Sequence, residues 1–269
     1  MGIIVCKFGG TSTANADMFQ QIRKILRANP DRRYVVLSAP GGAVKVTDLL
    51  YRYWQKRAEG CDSSAERDAV ALRFRKLCTD LGVSGMEAAI CRELDGVRTA
   101  AHAASRGEYL CARVFSAWTG IPFVDAAELI RFDPDGALQT RQTLARFRAM
   151  ARRLPRAVIP GFYGSDSQGS IVTFPRNGSD ITGALAAAGT GASLYENWSD
   201  VPGLMSADPA LDPHAQRIPS ISYRGMRKMS AAGAKVLHPD SLAPVEDARI
   251  PTRLCQTTRP EAPGTWISG

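Results

Sequence analysis

Lys7 opens "KFGGTS", residues 7–12, where two adjacent glycines and two hydroxyl residues follow an apolar run. Glycine lets a backbone approach a ligand closely, and a helix start offers unpaired amides. A lysine beside them adds a full positive charge, so Lys7, Gly9 and Gly10 suit an anion such as a phosphate. The same residues would equally serve a tight strand-to-helix turn with a surface lysine. The spacing of a P-loop is absent, which excludes that mechanism, and the lack of GxGxxG argues against a dinucleotide site. A second group is "FPRNGSD", residues 174–180. Arg176 offers a planar fork for carboxylate or phosphate, and Gly178 permits close approach. Ser179 and Asp180 bring a hydroxyl and a carboxylate to a helix start, where either also serves as an N-cap.

Two further groups are weaker when taken singly. In "SRGEYLCAR", residues 105–113, Glu108 opens an apolar helix, and an acidic residue there commonly complements the helix dipole. From "ENWSDVPGLMSADP" (196–209) to "GAKVLHP" (233–239), Trp198, Asp200 and Gly203 follow a strand and could border a purine and ribose. Lys235 lies at a helix-to-strand junction within reach of phosphates. His102, His214 and His238 share no spacing and read as structural or surface positions.

The elements that must position these residues alternate along the chain. "GIIVCKF" and "RYVVLSAP" are β-branched runs stopped by Gly or Pro and read as buried strands. Met18, Phe19, Ile22, Ile25 and Leu26 between them repeat at helical spacing. Helical patterns follow in "VTDLLYRYWQKRA", "ERDAVALRFRKLCTDL" and "GEYLCARVFSAWTG". "IPFVDAAEL" resumes a strand pattern before the amphipathic "TRQTLARFRAMARRL". Then come a strand in "RAVIPGFYG", a short strand "SIVTF", and a small-residue helix "SDITGALAAAGTG". A strand "ASLYENWSD", a helix "SYRGMRKMSAAGA" and closing strands "KVLH" and "PTRLCQT" complete the pattern. This alternation predicts an α/β fold, an open and mostly parallel sheet sandwiched by helices, with ligand sites at strand ends.

The bulk properties narrow the class. With 269 residues, 45% hydrophobic and 22% charged, the chain has the make-up of a soluble globular protein. Its net charge is +8, and basic residues cluster at helical spacing in "RYWQKR", "RFRKL" and "RFRAMARR". They read as solvated helix faces, and no nucleic-acid-binding signature accompanies them. Six scattered cysteines without metal-ligand spacing predict reduced thiols, no metal-ligating residues and a cytoplasmic location. No signal peptide or membrane-length apolar run is present.

In order, KFGGTS, VVLSAPGG, RGEYL, VIPGFYG, RNGSDITGALAA, WSDVPG, SADP and GAKVLHP resemble the aspartate kinases of the amino acid kinase superfamily, along nearly the whole chain. The resemblance implies a single domain over 1–269, with an acceptor-substrate half (1–160), a nucleotide-binding half (161–269) and no ACT regulatory domain. It implies transfer of the ATP γ-phosphoryl group, with Mg²⁺, to the side-chain carboxylate of L-aspartate. The product, 4-phospho-L-aspartate, leads toward lysine, threonine and methionine. By the same resemblance Lys7 and Asp180 are catalytic: Lys7 offsets phosphoryl charge and Asp180 orients it. Arg176 grips a substrate carboxylate, Glu108 pairs with the α-ammonium, and Thr47 and Ser179 give hydroxyl contacts. Lys7, Gly9, Gly10, Ser199, Asp200, Gly203 and Lys235 fall on the nucleotide side. No nucleic acid or membrane partner is implied, and a catalytic-domain homodimer stays open.

Departures from the family pattern lie at Asn177, Met205, Ala210 and Cys111, where a glycine, a tyrosine, an arginine and a serine are usual. They keep two alternatives in view. One is a kinase for a related amino acid or carboxylate in a specialised pathway, and the other a non-catalytic ATP-binding homologue.

Overall fold

The computed structural model describes residues 2–175, 177–207, 212, 214–231 and 237–269. The first strand, β1 (Ile4–Phe8), is buried along its whole length. It leads through Gly9-Gly10 into a one-turn 3-10 helix (Thr11–Thr13) and then α1 (Ala16–Ala28). Asn15 starts α1 by accepting a hydrogen bond from the Met18 amide at 3.0 Å, satisfying one of the free donors of the first turn. The chain returns in β2 (Arg32–Leu37), followed by α2 (Val46–Ala58), α3 (Ser64–Leu81), α4 (Glu87–Asp95) and α5 (Ala100–Thr119). After α6 (Ala126–Leu129) and α7 (Thr140–Arg153) come β3 (Ala157–Pro160), β4 (Tyr163–Ser165), β5 (Ile171–Thr173) and α8 (Gly178–Thr190). The last elements are β6 (Leu194–Ser199), β7 (Ser220–Ser222), α9 (Tyr223–Ala231), α10 (Leu242–Asp247), β8 (Thr252–Gln256) and β9 (Thr265–Ser268).

Seven strands form one sheet in the order β3-β2-β1-β6-β8-β9-β7. Every neighbouring pair is parallel except β8 with β9. The α/β class and the mostly parallel sheet are as the alternating pattern predicts. Strand side chains alternate between faces, so β1 divides its residues between two cores. Val5 joins Tyr34, Val36 and Tyr195 under α7, α8 and α10, whereas Ile4, Cys6 and Phe8 join Phe19, Phe74, Phe115 and Trp198 under α1, α3 and α5. Each large apolar side chain fully buried this way contributes about 1.5–3 kcal/mol. The Gly and Ala content of α8 lets its backbone settle closely on the sheet.

Several local expectations change. "IPFVDAAEL" makes only one bridge, Phe123 to Val158, because the Asp125 carboxylate accepts from the Ala127 amide at 2.9 Å and starts α6. "RAVIPGFYG" is two strands, since Phe162 adopts φ 80° and turns β4 out of the sheet to pair antiparallel with β5, the "SIVTF" strand. Of "KVLH", Lys235 and Val236 lie outside the described residues, and Leu237-His238 are not in a strand. Helix α5 begins at Ala100, so Glu108 lies at mid-helix and not in a first turn. Helices α4 and α10 and strands β7 and β9 were not anticipated. No helix among the described residues is long and apolar enough to cross a membrane.

Candidate active site

Parallel register places Lys7 of β1 beside Asn197 of β6. Both point to the α8 side of the sheet, where the first turn of α8 presents Asp180. Lys7 Nζ lies 2.7 Å from Asp180 Oδ1, with both side chains nearly buried. The same oxygen accepts from Asn197 Nδ2 at 2.8 Å, and Oδ2 accepts from the His238 amide at 3.1 Å. Tyr195, two residues before Asn197, donates its hydroxyl to the Asp180 carbonyl at 3.2 Å. Two donors and a helix N-terminus therefore hold the carboxylate that in turn holds the ammonium, while Tyr195 fixes the backbone beneath it. Lys7 keeps 8% of its surface exposed, enough to meet a ligand at the strand end.

The glycine turn above Lys7 is built by two chain crossings. Gly9 N–H donates to the Trp198 carbonyl at 2.9 Å, and Gly41 N–H donates to the Gly10 carbonyl at 2.8 Å. A Cβ on Gly41 would stand 2.8 Å from the Gly10 carbonyl carbon and oxygen, so only glycine permits this approach. The Thr13 hydroxyl, fully buried, sits 3.1–3.3 Å from the carbonyls of Gly9, Gly10, Ser38 and Ala39. Among the described residues, the turn's backbone hydrogen bonds use the amides of Gly9, Ser12 and Thr13 and leave those of Gly10 and Thr11 out. Those are the free donors that an anion at a helix start would take up.

Close enough to feel the charge of Lys7 is Glu108 of α5, 5% exposed, with its Oε2 buried and lacking a hydrogen-bond partner among the described residues. Burial pushes its carboxyl up to about 8, against the pull of the Ala39 amide, its own amide, and the charges of Lys7 and Arg106. A buried carboxylate oxygen without a donor is costly, and a cationic group from outside the chain would relieve it. Cys111, one helical turn on, is buried too; burial, then Glu108, pushes its thiol up, and Thr13 hydrogen-bonds to it. Thr47 lies half-buried in the first turn of α2. Ser179 lies buried in the first turn of α8, packed on Gly161, where a Cβ would come within 2.6 Å of its Cβ and hydroxyl.

The residues read as nucleotide-facing lie beyond β6. Ser199 ends that strand, its carbonyl accepting from the Thr257 amide at 2.8 Å, and exposed Asp200 follows, its carbonyl accepting from Gln256 Nε2 at 2.9 Å. Gly203, at φ 135°, is buried against Thr265. Met205 is half-buried and bridges to Arg217. Arg176, Lys235 and Ala210 lie outside the described residues. Trp198 does not border a nucleotide: it is fully buried on the opposite face, stacked on Phe8 and donating Nε1 to Glu196 at 3.1 Å. Strand parity decides this, because Trp198 and Asn197 necessarily face opposite ways. Asn197 and the His238 amide are the site groups that sequence reasoning missed. The available signal for Asn197 was an amide side chain inside a strand otherwise suited to full burial.

Among the described residues no three His, Cys, Asp or Glu side chains gather as a metal-holding cluster. A cavity of about 360 Å³, lined by Phe132, Phe174, Ile181 and Asp240, does not include Lys7, Glu108 or Asp200.

The sequence model of the amino acid kinase family matches residues 2–256. Aspartokinase 3 of Bacillus subtilis is 30% identical over 291 residues, covering 98% of this chain and 63% of that protein. The lysine-sensitive aspartokinase 3 of Escherichia coli is 31% identical over 304 residues, covering 98% and 64%. The crystal structure of Clostridium acetobutylicum aspartate kinase superposes with a TM-score of 0.92 at 34% identity, covering 100% of this chain and 63% of that one. The structure of E. coli aspartokinase III in complex with aspartate and ADP gives 0.89 at 28% identity, covering 99% and 64%. This chain thus spans less than two thirds of the length of these relatives.

Proposed function

This chain belongs to the amino acid kinase family, and from that premise we propose that it transfers the γ-phosphoryl group of Mg·ATP to the side-chain carboxylate of L-aspartate. The observation that carries the reading is the grouping, around the charge of Lys7, of a glycine turn with two amides and a buried glutamate oxygen that have no partner among the described residues. That E. coli aspartokinase III was crystallised with aspartate and ADP supports it. The acceptor carboxylate, with a reference pKa of about 3.9, is ionised at neutral pH and needs no general base. Its oxygen attacks the γ-phosphorus, the bond to the β-bridging oxygen breaks, and ADP leaves with that electron pair. Catalysis is then positioning and charge neutralisation.

In this reading Lys7, steered by Asp180, neutralises the transferring group, while the amides of Gly10 and Thr11 receive its oxygens. Glu108 pairs with the acceptor's α-ammonium, Arg176 with its α-carboxylate, and Thr47 and Ser179 supply hydroxyl contacts. Ser199, Asp200, Gly203 and Lys235 border the nucleotide, so the acceptor side falls mainly within 1–160 and the nucleotide side within 161–269. Mg²⁺ enters with the nucleotide and spreads phosphate charge. A coupled assay of ADP release tests the proposal: turnover is expected with L-aspartate and not with N-acetyl-aspartate, whose nitrogen carries no charge for Glu108. Lys7→Met is expected to lower kcat by about 10²–10³-fold. Absence of aspartate-dependent ADP release by the wild type would overturn the reading. Cys111 beside Glu108 leaves room for a related acidic amino acid, which a panel of acceptors in the same assay resolves.

A further inference from the structure

Arg73 stands in "RFRKL", a segment whose pattern reads as a solvated helix face. On α3, however, it is half-buried, and among the described residues it pairs with no carboxylate. Its Nη2 donates to the Gly41 carbonyl and, at 3.4 Å, to the Ala14 carbonyl. Ala14 closes the one-turn helix that begins at Gly10, and Gly41 belongs to the loop between β2 and α2. One guanidinium therefore joins the two segments whose backbones meet where Gly41 N–H donates to the Gly10 carbonyl. The loop is shaped to admit it. Gly42 holds φ 131°, and a Cβ there would stand 2.8 Å from Arg73 Nη2. At its start the same loop supplies the Ala39 amide to the Glu108 carboxylate, and at its end it leads into the turn of α2 that carries Thr47.

We propose that Arg73 is a positioning residue that clamps this loop onto the glycine turn, so that the phosphoryl-facing amides and the ammonium-facing carboxylate keep one relative geometry. The catalytic part of this inference rests on the function proposed above. The two N–H bonds of Nη2 let one nitrogen donate to both carbonyls, and the planar guanidinium fixes their directions, which a freely rotating lysine ammonium does not. Loops that carry function depend on such fastening to a rigid scaffold, and here the scaffold is α3.

Hydrogen exchange on the free protein tests the clamp without reference to turnover. Arg73→Ala is expected to speed exchange at residues 9–14 and 39–46 by roughly tenfold or more, leaving the rest of the chain unchanged. Added methylguanidinium should slow it again. In the ADP-release assay, Arg73→Ala should lower kcat/KM for the acceptor by about 10–100-fold, with methylguanidinium restoring part of the loss and Arg73→Lys retaining more activity than alanine. Arg75→Ala, which alters an exposed neighbour on the same helix, should behave as wild type. Unchanged exchange in both segments would overturn the proposal. So would uniformly faster exchange across the chain without methylguanidinium rescue, the mark of general destabilisation. A wild type inactive toward aspartate would sink the acceptor assignment alone, and the exchange measurement would still decide the clamp.

Discussion

Glu108 concentrates two opposing demands in one side chain. Its carboxyl, pushed up to about 8 by burial, is mostly protonated in the free protein at neutral pH, yet the pairing proposed for it with an ammonium requires it ionised. The KM for the acceptor is therefore expected to fall as pH rises from about 6 toward 8 and to level above it, measured by initial rates. Glu108→Gln should raise that KM and flatten the profile. The effect on stability has the opposite sign. The folded pKa lies above the ordinary value of 4.5, so between about 4.5 and 8 the native state holds a proton that the unfolded state has released. Stability contributed by this residue falls as pH rises through that window. Urea unfolding should accordingly show Glu108→Gln gaining on the wild type between pH 5 and about 8, with the difference constant above. Binding demands a group that folding alone would not keep.

At the level of elements, two backbone features aim the site. Asn177, at φ 65°, starts α8 and thereby sets where Asp180 points; its type tolerates the left-handed region better than most. Asn177→Ala should cost about 1 kcal/mol in urea unfolding, and Asn177→Gly less, because glycine carries no Cβ penalty there. Gly41 is fixed by contact and not by torsion. Gly41→Ala would drive a methyl into the Gly10 carbonyl 2.8 Å away, against backbone on both sides. A displacement of even 1 Å in the phosphoryl-facing turn can cost about 10²-fold in rate, so kcat should drop by one to two orders of magnitude while the circular dichroism spectrum is retained.

For the whole molecule, one buried ion pair ties the central strands together on the face away from the site. Glu196 of β6 accepts from Arg32 Nε at 2.8 Å, Arg32 Nη2 at 3.0 Å and Trp198 Nε1 at 3.1 Å, with the Cys6 thiol at 3.4 Å. Its side chain is 2% exposed. Glu196→Ala would leave the Arg32 guanidinium without its carboxylate, at a cost of about 3–5 kcal/mol read by the denaturation midpoint. Since β1 and β6 also carry Lys7 and Asn197, loosening this pair should lower the catalytic rate as well as stability. A double variant replacing Arg32 and Glu196 with apolar residues of similar size should recover much of the lost stability.

Much of this was legible from local patterns. Alternating strand and helix signals predict the α/β sheet, and residue type beside a strand end or helix start singles out the glycine turn and Asp180 as candidates, whereas Glu108, expected to open a helix, lies in the middle of α5. What needed the tertiary structure was the direction in which each side chain points and what it meets. Trp198 and Asn197 are neighbours in sequence, but only the pairing of β6 with β1 decides that the amide joins Lys7 while the indole enters the far core. Arg73 carries an ordinary helix-face pattern, and its role follows from a loop more than thirty positions earlier. Local propensity acts over a few residues, whereas burial and the partners of a polar group depend on segments brought together from across the chain.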